Sequence, residues 1–297
     1  MSSPKSPKDG YKEFCKKAKD GSNPFASYYK TVGGGEGDRC LYPTRFDMYG
    51  KGCANDCCYC YAKSLLGFRG LWNPEEPSMA NRFQIMQMLD DLPRKTVLRL
   101  GGMTDPFQKI EEREHRTEWL IGKLNERRIP YLIVTKCPIV KDCKYLDKEL
   151  AHIQISVTYT EGMEPKGFEK APLPSERLRA CEELQERGFD VAIRLSPYIP
   201  QIIDINDILN ARCDKVQVEF LRINATIRKN MSWWDFKEWT VKEGGYEHLP
   251  LTTKMEYLKP LLGKKQVSVC EDCTEHYDFF KKNVNANPDD CCNLRVL

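Results

Sequence analysis

Strand-like and helix-like segments alternate from about residue 47 to residue 222. Six runs are predicted strands: RFDMYG, TVLRLGG, PYLIVTK, HIQISVTY, DVAIRLSP and KVQVEFLR. The runs between them are predicted helices: MANRFQIMQMLDDL, EEREHRTEWLIGKLNERR, KDCKYLDKELA, LPSERLRACEELQERG and INDILNA. In the fourth, Pro174 stands at a plausible start and Gly188 just past the end. Such alternation predicts a parallel α/β sheet, either doubly wound or a barrel, and does not choose between the two.

The chain divides into three regions by pattern. Residues 1–46 are a polar N-terminal extension, residues 47–222 hold the alternating unit, and residues 223–297 are a C-terminal extension with a last strand, KQVSVC. The apolar runs are too short to cross a bilayer, and the N-terminus lacks the apolar segment of a secretory signal. We therefore expect a cytoplasmic protein without a membrane span. The net charge of +3 does not by itself predict nucleic-acid binding.

A cysteine-rich loop, GKGCANDCCYCYAKS, follows the first predicted strand. Cys53, Cys57 and Cys60 have the spacing C-x3-C-x2-C, and thiolates suit iron–sulfur clusters or zinc. Three thiolates on a four-iron cluster leave one iron open, whereas a structural zinc site is closed. The alternative is a closed zinc site that also uses Cys58, although neighbouring side chains such as Cys57 and Cys58 usually diverge. The loop lies where parallel α/β proteins place their chemistry.

This loop resembles the signature of the radical S-adenosylmethionine (SAM) superfamily. Further motifs resemble the branch that includes spore photoproduct lyase: TDPFQKIE (104–111), TKCPIVKD (135–142) and RLSPYIP (194–200), each after a predicted strand. Tyr59 and Tyr61 flank the last loop cysteine, as in that branch. The resemblance covers residues 47–200 and implies a partial (β/α)6 TIM-like barrel of the radical SAM type.

The resemblance also implies cofactors and their contacts. Cys53, Cys57 and Cys60 would hold a [4Fe–4S] cluster whose open iron binds SAM. One electron, from a flavodoxin- or ferredoxin-type partner, would then cleave SAM to a 5′-deoxyadenosyl radical that abstracts hydrogen from the substrate. The implied SAM-binding residues are Tyr59, Gly101, Gly102, Thr104, Lys136, Ser156 and Arg194, of which Arg194 suits a carboxylate.

The hydrogen-atom relay departs from the branch. The lyase has a donor cysteine near the end of the second strand, but LRLGGMTDPF contains none. Tyr61 matches the relay tyrosine, and Cys137 or Cys58 would have to supply a thiol; the sequence selects neither. Return of hydrogen from 5′-deoxyadenosine is another route. The overall reaction therefore stays open among lyase, isomerase and transferase classes.

The C-terminal tail contains a candidate second metal site. Cys270 and Cys273 form a C-x2-C pair and Cys291 and Cys292 an adjacent pair, with His276 as an outside candidate. Such a set would hold zinc or a second iron–sulfur cluster. Clustered thiols in a chain of fourteen cysteines with no export signal indicate metal more often than disulfides.

Three functional hypotheses follow from these patterns. The first is a radical SAM enzyme acting on a nucleic acid base or modified nucleotide in DNA, for which LRINATIRKNMSWW mixes basic and aromatic residues as single-strand binders do. The second is a radical SAM enzyme acting on a peptide or small metabolite, with an auxiliary cluster in the tail. The third is a non-catalytic, zinc-stabilised binding protein.

Overall fold

The computed structural model describes residues 29–31, 39–68, 70, 72–92 and 96–295, so most of the predicted N-terminal extension lies outside the described residues. The strands are β1 (Tyr29–Thr31), β2 (Thr44–Phe46), β3 (Tyr49–Gly50), β4 (Ser78–Met79), β5 (Leu98–Leu100), β6 (Tyr131–Thr135), β7 (Ala151–Ser156), β8 (Asp190–Tyr198), β9 (Lys215–Phe220), β10 (Val241–Glu243), β11 (Tyr246–His248) and β12 (Gln266–Val269). The helices are α1 (Tyr61–Phe68), α2 (Arg82–Asp91), α3 (Glu111–Glu114), α4 (Arg116–Glu126), α5 (Pro174–Glu186), α6 (Ile205–Asn210), α7 (Ala225–Asn230), α8 (Leu251–Leu258) and α9 (Thr274–Asn283).

One sheet organises these elements, in the strand order β1-β2-β5-β6-β7-β8-β9-β12. β1 pairs antiparallel with β2, and all the other neighbours in the sheet pair parallel. Within the described residues β12 does not pair back with β2, so the sheet is curved but open. The predicted α/β fold, a partial TIM-like barrel, is confirmed. No helix in the described part of the chain is both long and apolar enough to cross a membrane.

Two of the predicted elements differ in detail, and the predicted last strand is present. RFDMYG splits into β2 in the main sheet and β3, which pairs with β4. KQVSVC supplies β12, which extends the parallel sheet beyond β9. The predicted helix KDCKYLDKELA is wrong, because this stretch forms the end of a short 3-10 helix (Pro138–Asp142) followed by turns. Side chains there bind backbone N–H groups that a helix would use: Asp147 Oδ1 accepts from Glu149 N at 2.8 Å.

The two faces of the parallel strands differ in chemistry. On β7, Ile153 and Ile155 pack in the main hydrophobic core, whereas Ser156 faces the interior of the open barrel and lines a cavity there. Across the neighbouring strands Ser156 is in register with Arg194, Arg194 with Gln217, and Gln217 with Ser268. The side chains of all four are buried. A polar layer therefore crosses β7, β8, β9 and β12 on the barrel's inner face.

The amino-terminal end of the barrel is covered by residues 290–295. Cys292 and Leu294 pack against Leu132 on the inner face of β6. Asn293 O accepts a hydrogen bond from Lys215 Nζ at 2.6 Å, at the start of β9. Asp190 Oδ2, at the start of β8, accepts from the backbone N–H of Arg295 at 2.8 Å. The C-terminal segment is thereby fixed to the strand starts, opposite the end that carries the cysteine loop.

Asp190 is the main charged anchor of this end. Its carboxylate also meets His152 Nδ1 at 2.5 Å and Lys215 Nζ at 2.6 Å. Burial opposes its ionisation, but the hydrogen bonds from His152, the Arg295 N–H and Lys215 outweigh burial and lower the pKa of Asp190 from 3.8 to about 2.

We expect Asp190→Asn to lower the free energy of unfolding by about 2 kcal/mol at pH 7, because the depressed pKa represents that much stabilisation of the charged form. The sign follows from the lowered pKa: the contribution is complete above the unfolded value and is lost as the pH falls toward about 2. Urea denaturation at several pH values measures this difference. Asp289→Asn is the matched control because the Asp289 side chain is 93% exposed. An Asp190→Asn effect that stays constant down to the acid limit would contradict the assignment.

Candidate functional site

The cysteine loop between β3 and α1 is built from two successive reverse turns. Asp56 N donates to Cys53 O, and Cys60 N donates to Cys57 O, both at 3.2 Å. A Cβ on Gly52 would lie 1.8 Å from Asn73 O, so only glycine fits where the chain enters the loop. Cys53, Cys57 and Cys60 all line one cavity at the carboxyl ends of the parallel strands.

The TDPFQKIE motif holds this loop in place. Asp105 Oδ2 accepts from Asn55 Nδ2 at 3.0 Å and from Lys136 N at 2.7 Å, and Asp105 Oδ1 accepts from Thr135 Oγ1 at 2.5 Å. Gln108 bonds both sides of Cys53, donating to Gly52 O at 3.1 Å and accepting from Ala54 N at 2.9 Å. The motif therefore connects the loops after β3, β5 and β6.

Glu111, the last residue of that motif, acts farther from the cavity. It accepts from the N–H groups of Thr117 and Glu118 at the start of α4, at 2.9 and 2.8 Å, and from the Tyr49 hydroxyl. Its burial at 2% exposure and its full set of partners give it a structural role.

Asp47 shapes the GGMT segment after β5, a role that the sequence patterns did not reveal. Its Oδ1 accepts from the N–H groups of Gly102, Met103 and Thr104 at 2.9, 2.8 and 3.0 Å. Gly101 has φ +90°, and a Cβ there would lie 2.5 Å from Val134 O. The segment is thus wrapped around one carboxylate and held against β6.

A buried carboxylate, Glu169, stands behind Tyr59 and Cys57. Glu169 Oε2 accepts from the Tyr59 hydroxyl and lies 3.7 Å from Cys57 Sγ. Arg177 Nη2 pairs with Glu169 Oε1 at 2.6 Å, and Lys136 Nζ lies 3.8 Å from Oε2. Burial opposes ionisation of Glu169, but Lys136 and Arg177 outweigh it and hold its pKa below the ordinary value. Sequence reasoning missed Glu169 because it lies in the long β7–α5 connection, outside any motif.

Arg194 and Glu219 form a second charged pair, on the cavity wall itself. Arg194 Nη1 donates to Gln154 Oε1 at 2.7 Å, and Nη2 pairs with Glu219. Ser196 Oγ donates to Glu219 at 2.8 Å. Burial opposes ionisation of Glu219, but Arg194 and Arg222 outweigh it and lower its pKa to about 2. Glu219 was not singled out from the sequence, although a carboxylate at the end of a buried strand is a signal that could have found it.

Most of the predicted site residues meet in this cavity. Its wall contains the three loop cysteines and Tyr59, Tyr61, Gly101, Gly102, Thr104, Lys136, Ser156 and Arg194. The Tyr61 hydroxyl donates to Gly102 O. Of the two thiols considered for a hydrogen relay, Cys58 lies in the main core and Cys137 lies 3.9 Å from Asn55 Oδ1. Neither of them is on the cavity wall that the described residues form.

The loop thiols are not gathered as closely as ligands of a single ion. A tetrahedral zinc site, with Zn–S near 2.3 Å, places its sulfur atoms about 3.8 Å apart. Among the described residues, the one group of three or more metal-type ligand atoms within 4.8 Å of one another is His248, Glu271 and Asp272, so Cys53, Cys57 and Cys60 are more widely spaced. Burial, with a smaller effect of Asp105, raises the pKa of Cys53 to about 12, so a metal has to displace its proton.

The tail cysteines have different surroundings. Cys270 is on the cavity wall, and the neighbouring thiols of Cys270 and Cys292 raise the pKa of Cys291. Cys273 immediately precedes α9, where Thr274 N donates to Glu243 Oε1 at 3.0 Å. His276 Nδ1 meets the buried Lys254 Nζ at 2.9 Å. In the described part of the chain, no three of the sulfur atoms of Cys270, Cys273, Cys291 and Cys292 lie within 4.8 Å of one another.

No protein-family model matches the chain. Curated relatives include uncharacterised proteins of Mycobacterium bovis and Mycobacterium tuberculosis, each 24% identical over 183 residues, which is 57% of this chain and 54% of the relative. An uncharacterised protein of Methanocaldococcus jannaschii is 25% identical over 163 residues, 53% of this chain and 61% of that one. The chain spans about half the length of the mycobacterial relatives it matches.

Solved structures of spore photoproduct lyase share the fold. A mutant with bound AdoMet and dinucleoside spore photoproduct matches with a TM-score of 0.55 and 15% identity, covering 77% of this chain and 78% of that one. A single mutant of the same enzyme gives a TM-score of 0.57 at 14% identity, covering 77% of each chain. The chain shares the fold of spore photoproduct lyase. The resemblance inferred from four motifs is confirmed at the level of the fold.

We expect Asp105→Ala to loosen the cysteine loop, because the change removes the acceptor shared by Asn55, Thr135 and Lys136. Hydrogen exchange at residues 53–57 and 135–137 should quicken by about tenfold or more, since each lost buried hydrogen bond costs about 1 kcal/mol or more. Asp142→Ala is the control, as that exposed carboxylate belongs to the next motif. Unchanged exchange at both segments would contradict the role given to Asp105.

Proposed function

We propose that this protein is a radical SAM enzyme that acts on a nucleic acid base or a modified nucleotide. The observation that carries the proposal is the meeting of the three loop cysteines with Lys136, Ser156 and Arg194 in one cavity of a fold shared with spore photoproduct lyase.

Cys53, Cys57 and Cys60 would hold the [4Fe–4S] cluster. When bound, this cluster and SAM supply reductive cleavage of the sulfonium to a 5′-deoxyadenosyl radical. Lys63 N donates to Cys60 Sγ at 3.4 Å, so the start of α1 stabilises that thiolate. The electron would come from a flavodoxin- or ferredoxin-type protein in a reducing, cytoplasmic compartment.

The cavity residues would orient SAM. Gly101, Gly102 and Thr104 form the segment proposed to meet its amino group, and Asp47 fixes that segment by three hydrogen bonds. The Arg194–Glu219 pair and Ser156 offer polar contacts on the opposite wall, while Tyr59 and Lys136 stand near Cys57. These charges are already paired within the protein, which limits the reorganisation that binding would demand.

Tyr61 is the proposed relay residue, because its ring lies on the cavity wall and its hydroxyl is held by Gly102 O. Cys137 would require movement of Asn55 to take part. Return of hydrogen from 5′-deoxyadenosine needs no thiol, so an isomerisation fits these residues without further change.

Two observations favour a nucleic acid substrate over a peptide or metabolite. Spore photoproduct lyase, whose fold this chain shares, has been solved with a dinucleoside spore photoproduct. In addition, Arg222 and Ile227 of the segment 221–234 line the cavity, while Trp233 of the same segment is 46% exposed. An exposed indole in a segment that also lines the cavity suits base stacking, and we expect the target base to reach the cavity by flipping out of its strand.

We expect Cys57→Ala to lower the iron content of anaerobically reconstituted protein by about four irons per chain and to abolish conversion of SAM to 5′-deoxyadenosine. Cys58→Ala should retain both, because Cys58 packs in the core. Iron and sulfide assays, with chromatography of the nucleoside product under a strong reductant, measure the two effects. Colourless wild-type protein with one zinc and no SAM cleavage would overturn the proposal.

We expect Trp233→Ala to weaken binding of a single-stranded DNA oligonucleotide by about tenfold, since stacking of one base contributes about 1–3 kcal/mol. Tyr145→Ala is the control, because Tyr145 is 52% exposed and packs near Gly122 on α4. Fluorescence anisotropy over a range of salt concentrations measures affinity and its salt slope. If DNA neither binds nor stimulates SAM cleavage, a peptide or small metabolite becomes the better candidate.

A further inference from the structure

Four cysteines from distant parts of the chain gather in the barrel interior, and one of them was not among the predicted ligands. Cys270 follows β12, and Cys291 and Cys292 lie in the C-terminal segment. The fourth is Cys40, whose neighbours include Cys270 and Cys292. We propose that Cys40, Cys270, Cys291 and Cys292 are the thiolate ligands of a second metal centre, beside the cavity.

The hydrogen bonds on both sides of Cys40 fix its position between the other two segments. On one side, Arg39 Nη1 donates to Asp272 O at 2.8 Å, and the Arg39 guanidinium lies 5.4 Å from the Tyr277 ring centroid. On the other side, the Tyr42 hydroxyl donates to Asp290 Oδ2 at 2.7 Å. Cys40 is therefore tied to the segment after Cys270 and to the segment before Cys291.

Cys270 and Cys292 place the group on the inner face of the sheet. Cys270 N donates to Val218 O at 2.8 Å, which continues the β9–β12 pairing, and Cys270 lies on the cavity wall. Cys292 packs with Leu132 and Val134 of β6. The four thiols thus lie between the covered amino-terminal end of the barrel and the cavity.

The surroundings can balance the negative charge of a thiolate-bound metal. Arg99 and Arg194 line the same cavity and are electrostatic neighbours of Cys292. The Nε of Arg99 is buried without a hydrogen-bond partner, as are both amide atoms of Gln217 on the neighbouring layer. Buried polar groups are normally paired, so the two donors among these atoms, Arg99 Nε and Gln217 Nε2, are suited to an anionic group in the barrel interior.

Two nearby groups are poorer candidates. Cys273 immediately precedes α9, where burial and Glu243 raise the pKa of its thiol. His248, Glu271 and Asp272 have ligand atoms within 4.8 Å of one another, but Lys254 pairs with Glu271 and Arg222 pairs with Asp272. Protein cations therefore already neutralise that acidic group.

Thiolate ligation suits an iron–sulfur cluster or zinc. No three of the four sulfur atoms lie within 4.8 Å of one another, as thiolates around one zinc would. A cluster binds each thiolate at a different iron and so accepts wider separations.

The test uses the full chain with Cys53, Cys57 and Cys60 all changed to alanine, so that the SAM cluster cannot form and failure of the proposed function cannot be confused with failure of this site. After anaerobic reconstitution with iron and sulfide, about four irons and four sulfides per chain should remain. About one zinc per chain after expression in zinc medium would support the same ligands with the other metal. Absence of both metals would overturn the proposal.

Further variants in this background identify the ligands. Cys40→Ser and Cys292→Ser should each lower metal content by about tenfold or more, whereas Cys273→Ser should retain it. Loss of metal in Cys273→Ser with retention in Cys40→Ser would overturn the assignment. A measurement without ligand variants guards against misfolding. In mass spectrometry after alkylation, metal should lower the labelling of the four thiols and leave the labelling of Cys273 unchanged. Equal labelling of all five with and without metal would also overturn it.

Discussion

The carboxylate of Asp105 is the interaction on which the cavity depends. It binds Asn55 in the cysteine loop and Thr135 and Lys136 at the end of β6, while its own chain follows β5. Three segments distant in sequence therefore share one buried acceptor, and Gln108 extends the same connection to the backbone on both sides of Cys53. A site held by cross-loop hydrogen bonds in a buried setting is rigid before any cofactor arrives.

The second organising principle is pairing of charge. Glu169 pairs with Arg177 behind the cysteine loop, and Glu219 pairs with Arg194 on the cavity wall. Each carboxylate stays ionised although the protein removes part of its hydration, since a neighbouring cation compensates for that loss. The inner face of the sheet is thus polar, whereas its outer face, under the helices, is apolar.

The features that short stretches of sequence determine, such as strands and the cysteine loop, were predicted. Alternating apolar residues in HIQIS and VQVEF indicated strands, and the spacing from Cys53 to Cys60 indicated a loop that binds metal. Cys40 and Glu169 were missed because their roles arise from contacts more than a hundred residues away. The false helix after Asp142 had helical composition, but Asp147 and Glu118 bind the backbone N–H groups that a helix would use.

The loop's most distant backbone partners have a consequence for biosynthesis. Cys58 N donates to Phe168 O, and Lys170 N donates to Asn55 O. The ribosome must therefore add more than a hundred residues after the cysteines before these bonds can form, and Asn230, which donates to Cys58 O, comes later still. During that interval the contacts from these later residues do not yet cover the thiols of the nascent chain. The native geometry of the loop is accordingly completed late in synthesis, and until then its thiols are open to oxidation.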